Sequence, residues 1–169
     1  MKIKHLFSLG LVLMLLNACE KETKQAKQTK TQATEKIEIT QVEVTTVIDK
    51  WVNLWATYNL DLLDEIFYQS EDLTYFSSEK EGLIKGYKQI LPHHEGFGFV
   101  KGGKEPPVDL WLENITIRIN GENAMVAATW YNGDKSGERE STPHGPVTFV
   151  LLRDEQGAVK ISHAHFANN

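Results

Sequence analysis

The side chains best suited to chemistry stand near the end of the chain, in VKISHAHF, where His163 and His165 are two residues apart. Imidazole titrates near neutral pH, so it can move a proton or hold a ligand under ordinary conditions. Successive strand residues point to opposite faces, and strict alternation sets Val159, Ile161, His163 and His165 on one side. Val159 and Ile161 are apolar, so that side is expected to face inward and bring both histidines to a pocket mouth. Three roles fit this placement. The rings can be buried and hydrogen-bonded to backbone or a tyrosine. One or both can hold a ligand or shuttle a proton. Or the pair can offer two nitrogens to one metal ion, with a third ligand from His93, His94, His144 or a carboxylate. No metal and no cofactor is assigned from the pattern.

His144, in a polar stretch over 132–144, joins His163 and His165 as a candidate acid–base catalyst. His93 and His94 follow Pro92, which is expected to disturb a helix and leave both rings exposed in a loop. Trp51, Trp55 and Tyr58 fall on one helical face. Tyr58, at the helix end, is placed to reach a cavity, because a buried hydroxyl needs a polar partner. Tyr75 and Trp130 take inward strand positions. The candidate ligand pocket is therefore Trp55, Tyr58, Tyr75, Trp130, His163 and His165: apolar walls with a few polar handles. Asp109 and Glu113 are the carboxylates considered as a base. The chain has no GxSxG, no P-loop and no HExxH motif.

These side chains need a scaffold. From 42 to 58, Val44, Val47, Ile48, Trp51, Trp55 and Tyr58 recur at three- and four-residue steps, the stripe of an amphipathic helix. Asp61 is expected to cap a second short helix carrying Leu62, Leu63, Ile66 and Phe67. Residues 72–76 read as a strand with Leu73 and Tyr75 on one face, and Gly86 opens a helix through Tyr87, Ile90 and Leu91. After 108 the period becomes two. Strands are expected over 111–119, 123–131, 146–153 and 158–166, with Asn120-Gly121 as a hairpin turn. Helices first and an antiparallel meander afterwards predict an α+β domain, with helices packed on one face of a sheet. No internal repeat is visible.

Composition narrows the function classes. The chain has 169 residues, 41% of them hydrophobic, enough for one ordinary domain with a packed core. Beyond residue 42 the charges are 11 basic and 19 acidic, a net of −8, with only three arginines. Nucleic acid is not an expected partner, because neutralising phosphates takes clustered Lys and Arg. A single cysteine, Cys19, excludes an internal disulfide.

The first 19 residues, MKIKHLFSLGLVLMLLNAC, carry Lys2 and Lys4 ahead of an 11-residue apolar run from Leu6 to Leu16. That run is short of the roughly 20 residues a spanning helix needs, but suits a signal segment. The closing Leu16-Asn17-Ala18-Cys19 resembles the bacterial lipobox, with Asn17 a less usual residue. The resemblance implies cleavage after residue 18 and acylation of Cys19, with palmitate-type chains holding the protein to a lipid bilayer. Stable anchoring takes two or more such chains. Residues 19–41 are Lys-, Thr-, Gln- and Glu-rich and are expected to form the lipidated cysteine and a flexible tether. The expected location is the cell envelope, at the outer membrane rather than the inner, on the periplasmic or surface face.

The order of elements over 42–169 resembles the SnoaL-like branch of the nuclear transport factor 2-like superfamily. The residues that carry it include IDKWVNLWATYNLDLLDEIF, EDLTYFSSEKEGLIKGYKQI, ENITIRINGENAMVAATW and the closing VTFVLLRDEQGAVKISHAHFA. Val159 stands where such domains often have tryptophan, and Ala167 where serine is common. The resemblance implies helices wrapped by a strongly curved antiparallel sheet, forming a cone with a pocket. It implies a domain that binds a small, partly apolar molecule. It also leaves open an isomerase, dehydratase or cyclase using pocket histidines, or a module that assembles as a homodimer through the sheet's outer face.

Overall fold

The structure is a computed structural model, described here over residues 37–169; the expected signal segment, Cys19 and most of the expected tether lie outside the described residues. Helix α1 spans Gln41–Thr57. Its start is a reciprocal cap: the Glu43 amide donates to the Thr40 hydroxyl, and the Glu43 carboxylate accepts from the Thr40 amide at 2.8 Å. Its buried face is Val44, Val47, Ile48, Trp51, Leu54 and Trp55. Ile39, placed in the tether by the sequence, is buried, and its amide donates to the Gly121 carbonyl at 2.8 Å. The packed body thus begins two residues ahead of the helix, because an isoleucine there finds the β-hairpin turn.

A 3-10 turn at Leu60–Leu62 leads into α2, Leu63–Ile66. Asn59, not Asp61, caps that turn, its side chain accepting from the Asp61 amide at 3.0 Å. Asp61 instead accepts from the Gly102 amide, so its carboxylate ties down a distant loop. Helix α3, Ile90–Gly96, runs straight through Pro92. Proline is third in this helix, where its missing N–H would have had no intrahelical partner, so it costs no hydrogen bond.

Six strands form one sheet in the order β2-β1-β6-β5-β4-β3. They are β1 Thr74–Phe76, β2 Leu83–Lys85, β3 Asp109–Asn120, β4 Asn123–Gly133, β5 His144–Arg153 and β6 Val159–Phe166. The sheet is not wholly antiparallel. β1 runs parallel to β6, because the first strand returns from the helical half and joins the last strand alongside. Strand β2 was not expected; three residues are too few to show a period. Two register shifts bend the sheet, one in β3 between Glu113 and Thr116, the other in β6, where Ser162 is the extra residue opposite the Val150–Leu151 step. α1 lies against β3 and β6, and Trp51 sits at the centre of the core, with ring centroids 5.1 Å from Phe149 and 5.5 Å from Phe166. No helix of the described residues is long and apolar enough to cross a membrane.

Candidate functional site

A cleft of about 350 Å3 opens between the C-terminal ends of α1 and α3 and the inner face of the sheet. Trp55 and Tyr58 come from the end of α1, Phe97 from just after α3, Tyr75 from β1, Trp130 from β4 and Phe166 from β6. Leu110 and Pro143 complete the apolar walls, and Ser77, Ser78, Glu79 and Asn132 supply polar groups. This volume is that of a small-molecule site, at the lower end of the usual range.

Local backbone places these rings. Tyr58 follows α1 in the left-handed conformation, φ 46° and ψ 37°. That is uncommon for a bulky residue, and costs of order 1–3 kcal/mol. Two contacts offset it: its ring stacks on Phe99 at 4.1 Å and 9°, and its carbonyl accepts from the Val100 amide at 2.9 Å. The strained turn lifts the tyrosine out of the core stripe and into the cleft. Trp55 meets Phe97 and Phe99 edge to face at 5.3 and 5.0 Å. Trp130 is held by its indole N–H, which donates to the Ala167 carbonyl at 2.9 Å. Tyr75 stacks on Phe166 at 5.5 Å. The tyrosine hydroxyls stay protonated: burial pushes the pKa of Tyr58 up, and that of Tyr75 far up.

Behind Tyr75 lie His93 and His94, both buried rather than exposed. The continuous helix turns them inward. The His94 Nδ1 lies 2.8 Å from the Ile90 carbonyl. A carbonyl only accepts, so Nδ1 carries the proton and Nε2 is bare. Burial depresses the pKa of both rings to about 4, with Lys80 adding to the effect at His93, and His93 at His94. Both are therefore neutral at pH 7. Four buried nitrogens here have no hydrogen-bond partner among the described residues: Nε1 of Trp51 and Trp55, and Nε2 of His93 and His94. Each such group costs about 1–3 kcal/mol when left unsatisfied, so their concentration behind one cleft sets this region apart from the rest of the core.

No protein-family model and no curated protein matches the chain. Solved structures do. A nuclear transport factor 2-like superfamily protein from Salmonella enterica serovar Typhimurium is 19% identical, with a TM-score of 0.59 over 75% of this chain and 89% of its own. A nuclear transport factor 2-like protein of unknown function from Pseudomonas putida is 16% identical, with a TM-score of 0.61 over 75% and 84%. The CaMKII hub of S. rosetta is 20% identical, with a TM-score of 0.59 over 76% and 95%. The chain has the nuclear transport factor 2-like fold. At these identities the likeness is one of fold, and the function of such a domain rests on its own residues.

Within the nuclear transport factor 2-like fold, Trp55, Tyr58, Tyr75 and Trp130 line the cleft, as the sequence placed them. The histidines do not join them. The Ser162 bulge resets the alternation of β6, so Ala164 and Phe166 turn inward and His163 and His165 outward. His163 meets the Thr74 hydroxyl at 2.8 Å, and His165 lies 5.3 Å from the Phe76 ring, both on the outer face. Burial, then the neighbouring His165, lowers the pKa of His163. His144 is on the outer face too, stacked on Tyr131 at 5.2 Å, with Trp111 on the far side of Tyr131. Its Nδ1 is 2.8 Å from the Thr142 carbonyl. Glu113 accepts from the Trp111 indole and pairs with Arg139, and Asp109 is exposed at the start of β3; neither lines the cleft. Among the described residues no three His, Cys, Asp or Glu side chains converge as a metal site would need. The cleft residues missed in the sequence are Phe97, Leu110, Asn132, Pro143, Phe166 and the Ser77–Glu79 rim. A strand–turn–strand reading of YFSSEKEGLIKG would have exposed that rim.

Proposed function

We propose that this chain is a lipid-anchored lipoprotein of the cell envelope, with a SnoaL-like domain that holds a small, partly apolar molecule. The supporting observation is the cleft itself: six aromatic rings around about 350 Å3, with polar groups confined to Ser77, Ser78, Glu79, Asn132 and the two tyrosine hydroxyls. Binding, rather than acid–base turnover, suits a site whose histidine candidates lie on the opposite face. The anchor rests on the lipobox-like LNAC and on Cys19 as the only cysteine, and the outer membrane is the favoured location.

Native mass spectrometry of the protein extracted gently from membranes tests the binding reading. A co-purifying small molecule that is lost in Trp130→Leu supports it. A ligand-free wild type that also leaves its tryptophan fluorescence unchanged across a panel of small aromatic and aliphatic compounds counts against it. Cys19→Ala should move the protein from the membrane to the soluble fraction, and unchanged membrane retention removes the anchor.

A second reading, assembly as a homodimer, is favoured by the outer face of the sheet. Thr116, Ala127 and Thr148 lie in one outer row and Arg118, Met125 and Val150 in the next, so that Arg118 at the β3 edge is the one acidic or basic side chain among the six. Several similar structures are association domains of calcium/calmodulin-dependent protein kinase II. Light scattering decides between monomer and dimer, and Val150→Arg should dissociate a dimer formed through this face.

A further inference from the structure

The walls of the cleft are largely aromatic, and the only acidic or basic side chain among its lining residues is a carboxylate. Trp55, Phe97 and Trp130 have no face-to-face stacking partner among the described residues. The edge of the Trp130 indole is already taken, since its N–H donates to Ala167. An aromatic face carries negative potential and attracts a cation, tryptophan most strongly, and the attraction grows when water is excluded. The protein supplies one example at the margin: the Lys104 ammonium stands 5.8 Å from the centroid of the Tyr58 ring.

Glu79 is the one carboxylate among the lining residues. No lysine, arginine or histidine lines it. His93 and His94, behind Tyr75, carry no charge at neutral pH. Lys80 is exposed, flanked in sequence by Glu79 and Glu81, and is not a lining residue. An anionic ligand would find no countercharge among the lining residues, since Lys104 stands at the margin over the Tyr58 ring and Lys80 on the exposed side. A neutral one would leave Glu79 unused. A cation with an apolar body satisfies both the rings and the carboxylate.

We infer that the cleft takes an organic cation, an ammonium group on an apolar body, with Glu79 as its countercharge. This rests on the reading of the cleft as a small-molecule site. Glu79 is then the residue that sets specificity for charge, while the rings set affinity.

The test uses three aromatic probes of similar size on the full-length protein: benzyltrimethylammonium, its neutral carbon isostere neopentylbenzene, and benzenesulfonate. Binding is read from the fluorescence of the wall tryptophans. The cation should bind about tenfold or more tighter than the isostere, the preference expected of a desolvated cation among aromatic faces. Benzenesulfonate should not bind. Glu79→Gln, an exposed substitution that leaves the core intact, should cut the cation-to-isostere ratio several-fold and leave affinity for the isostere unchanged. Equal or tighter binding of the isostere or the sulfonate overturns the cation and leaves the pocket standing. No binding of any probe overturns both. An unchanged ratio in Glu79→Gln overturns the assignment of that carboxylate.

Discussion

The imidazole Nδ1 of His163 lies 2.8 Å from the hydroxyl of Thr74, across the parallel β1–β6 pair and on the side of the sheet that faces away from the cleft. One unpaired residue, Ser162, sends it there. Its hydroxyl donates to the Val150 carbonyl at 3.1 Å and anchors the bulge. His163→Ala, His165→Ala and the double variant are therefore expected to bind any cleft ligand within about twofold of wild type. Trp130→Leu should weaken the same binding by about tenfold or more. Fluorescence titration of the four proteins checks this, and a large loss in a folded histidine variant would return the histidines to the site.

Acid should destabilise the fold through His93 and His94. Their folded pKa values of about 4 lie below the ordinary 6.5, so the unfolded chain binds more protons between those limits. Stability is highest above pH 6.5 and falls as the pH drops toward 4. His94 alone, fully buried, accounts for about 3 kcal/mol across this window. Urea melts at pH 7.5, 6 and 4.5 measure the slope. His94→Gln is expected to flatten it, and a wild-type stability unchanged between pH 7.5 and 4.5 contradicts the neutral pair.

Arg153 joins the start of the first helix to the turn of the last hairpin. Its guanidinium pairs with Glu43 at 2.8 Å and donates to the carbonyls of Glu38 at 3.0 Å and Gly157 at 2.6 Å. Arg153→Met is expected to cost about 1–3 kcal/mol, since it leaves these acceptors without their charged donor. Arg153, by hydrogen bond and charge, holds the Glu43 pKa at about 2, below the usual 4.5. That contribution is fully present above pH 4.5 and is lost as the pH falls toward 2. A Glu43→Gln protein should lack this second acid limb in a chemical melt, while keeping the histidine limb above pH 4.

Gly145 is required by its neighbour rather than by its own backbone. A Cβ at this position would run into the Ala167 carbonyl oxygen, the same oxygen that accepts from the Trp130 indole. Gly145→Ala must push the C-terminal segment away from β5 and release Trp130. We expect a loss of about 1–3 kcal/mol or more, with weakened cleft binding. Thermal melts combined with ligand titration separate the two effects. Gly121→Ala, at a turn with open space around it but φ 60°, serves as the comparison, with a smaller stability cost and normal binding.

The elements that were readable in the sequence share one property: their signal is local. The stripe from Val44 to Trp55, the Asn120-Gly121 turn and the alternation of Ala124, Val126, Ala128 and Trp130 each follow from neighbours along the chain, and the structure has a helix, a hairpin and an inward strand face at those places. These residues determined an α+β domain of helices against a sheet, and brought Trp55, Tyr58, Tyr75 and Trp130 to one side of it.

Tertiary structure decided where the histidines went. A bulge depends on the partner strand, so nothing in VKISHAHF marks Ser162 as the extra residue, and one insertion reverses every side chain beyond it. His93 and His94 were misplaced because proline ends most helices but is free of cost in a first turn, and only the helix's true start at Ile90 shows which case applies. Likewise the parallel pairing of β1 with β6 joins residues about ninety positions apart, a contact that no local pattern encodes. The cleft is built at that junction, so its chemistry belongs to the fold, while its aromatic character was present in the residues from the start.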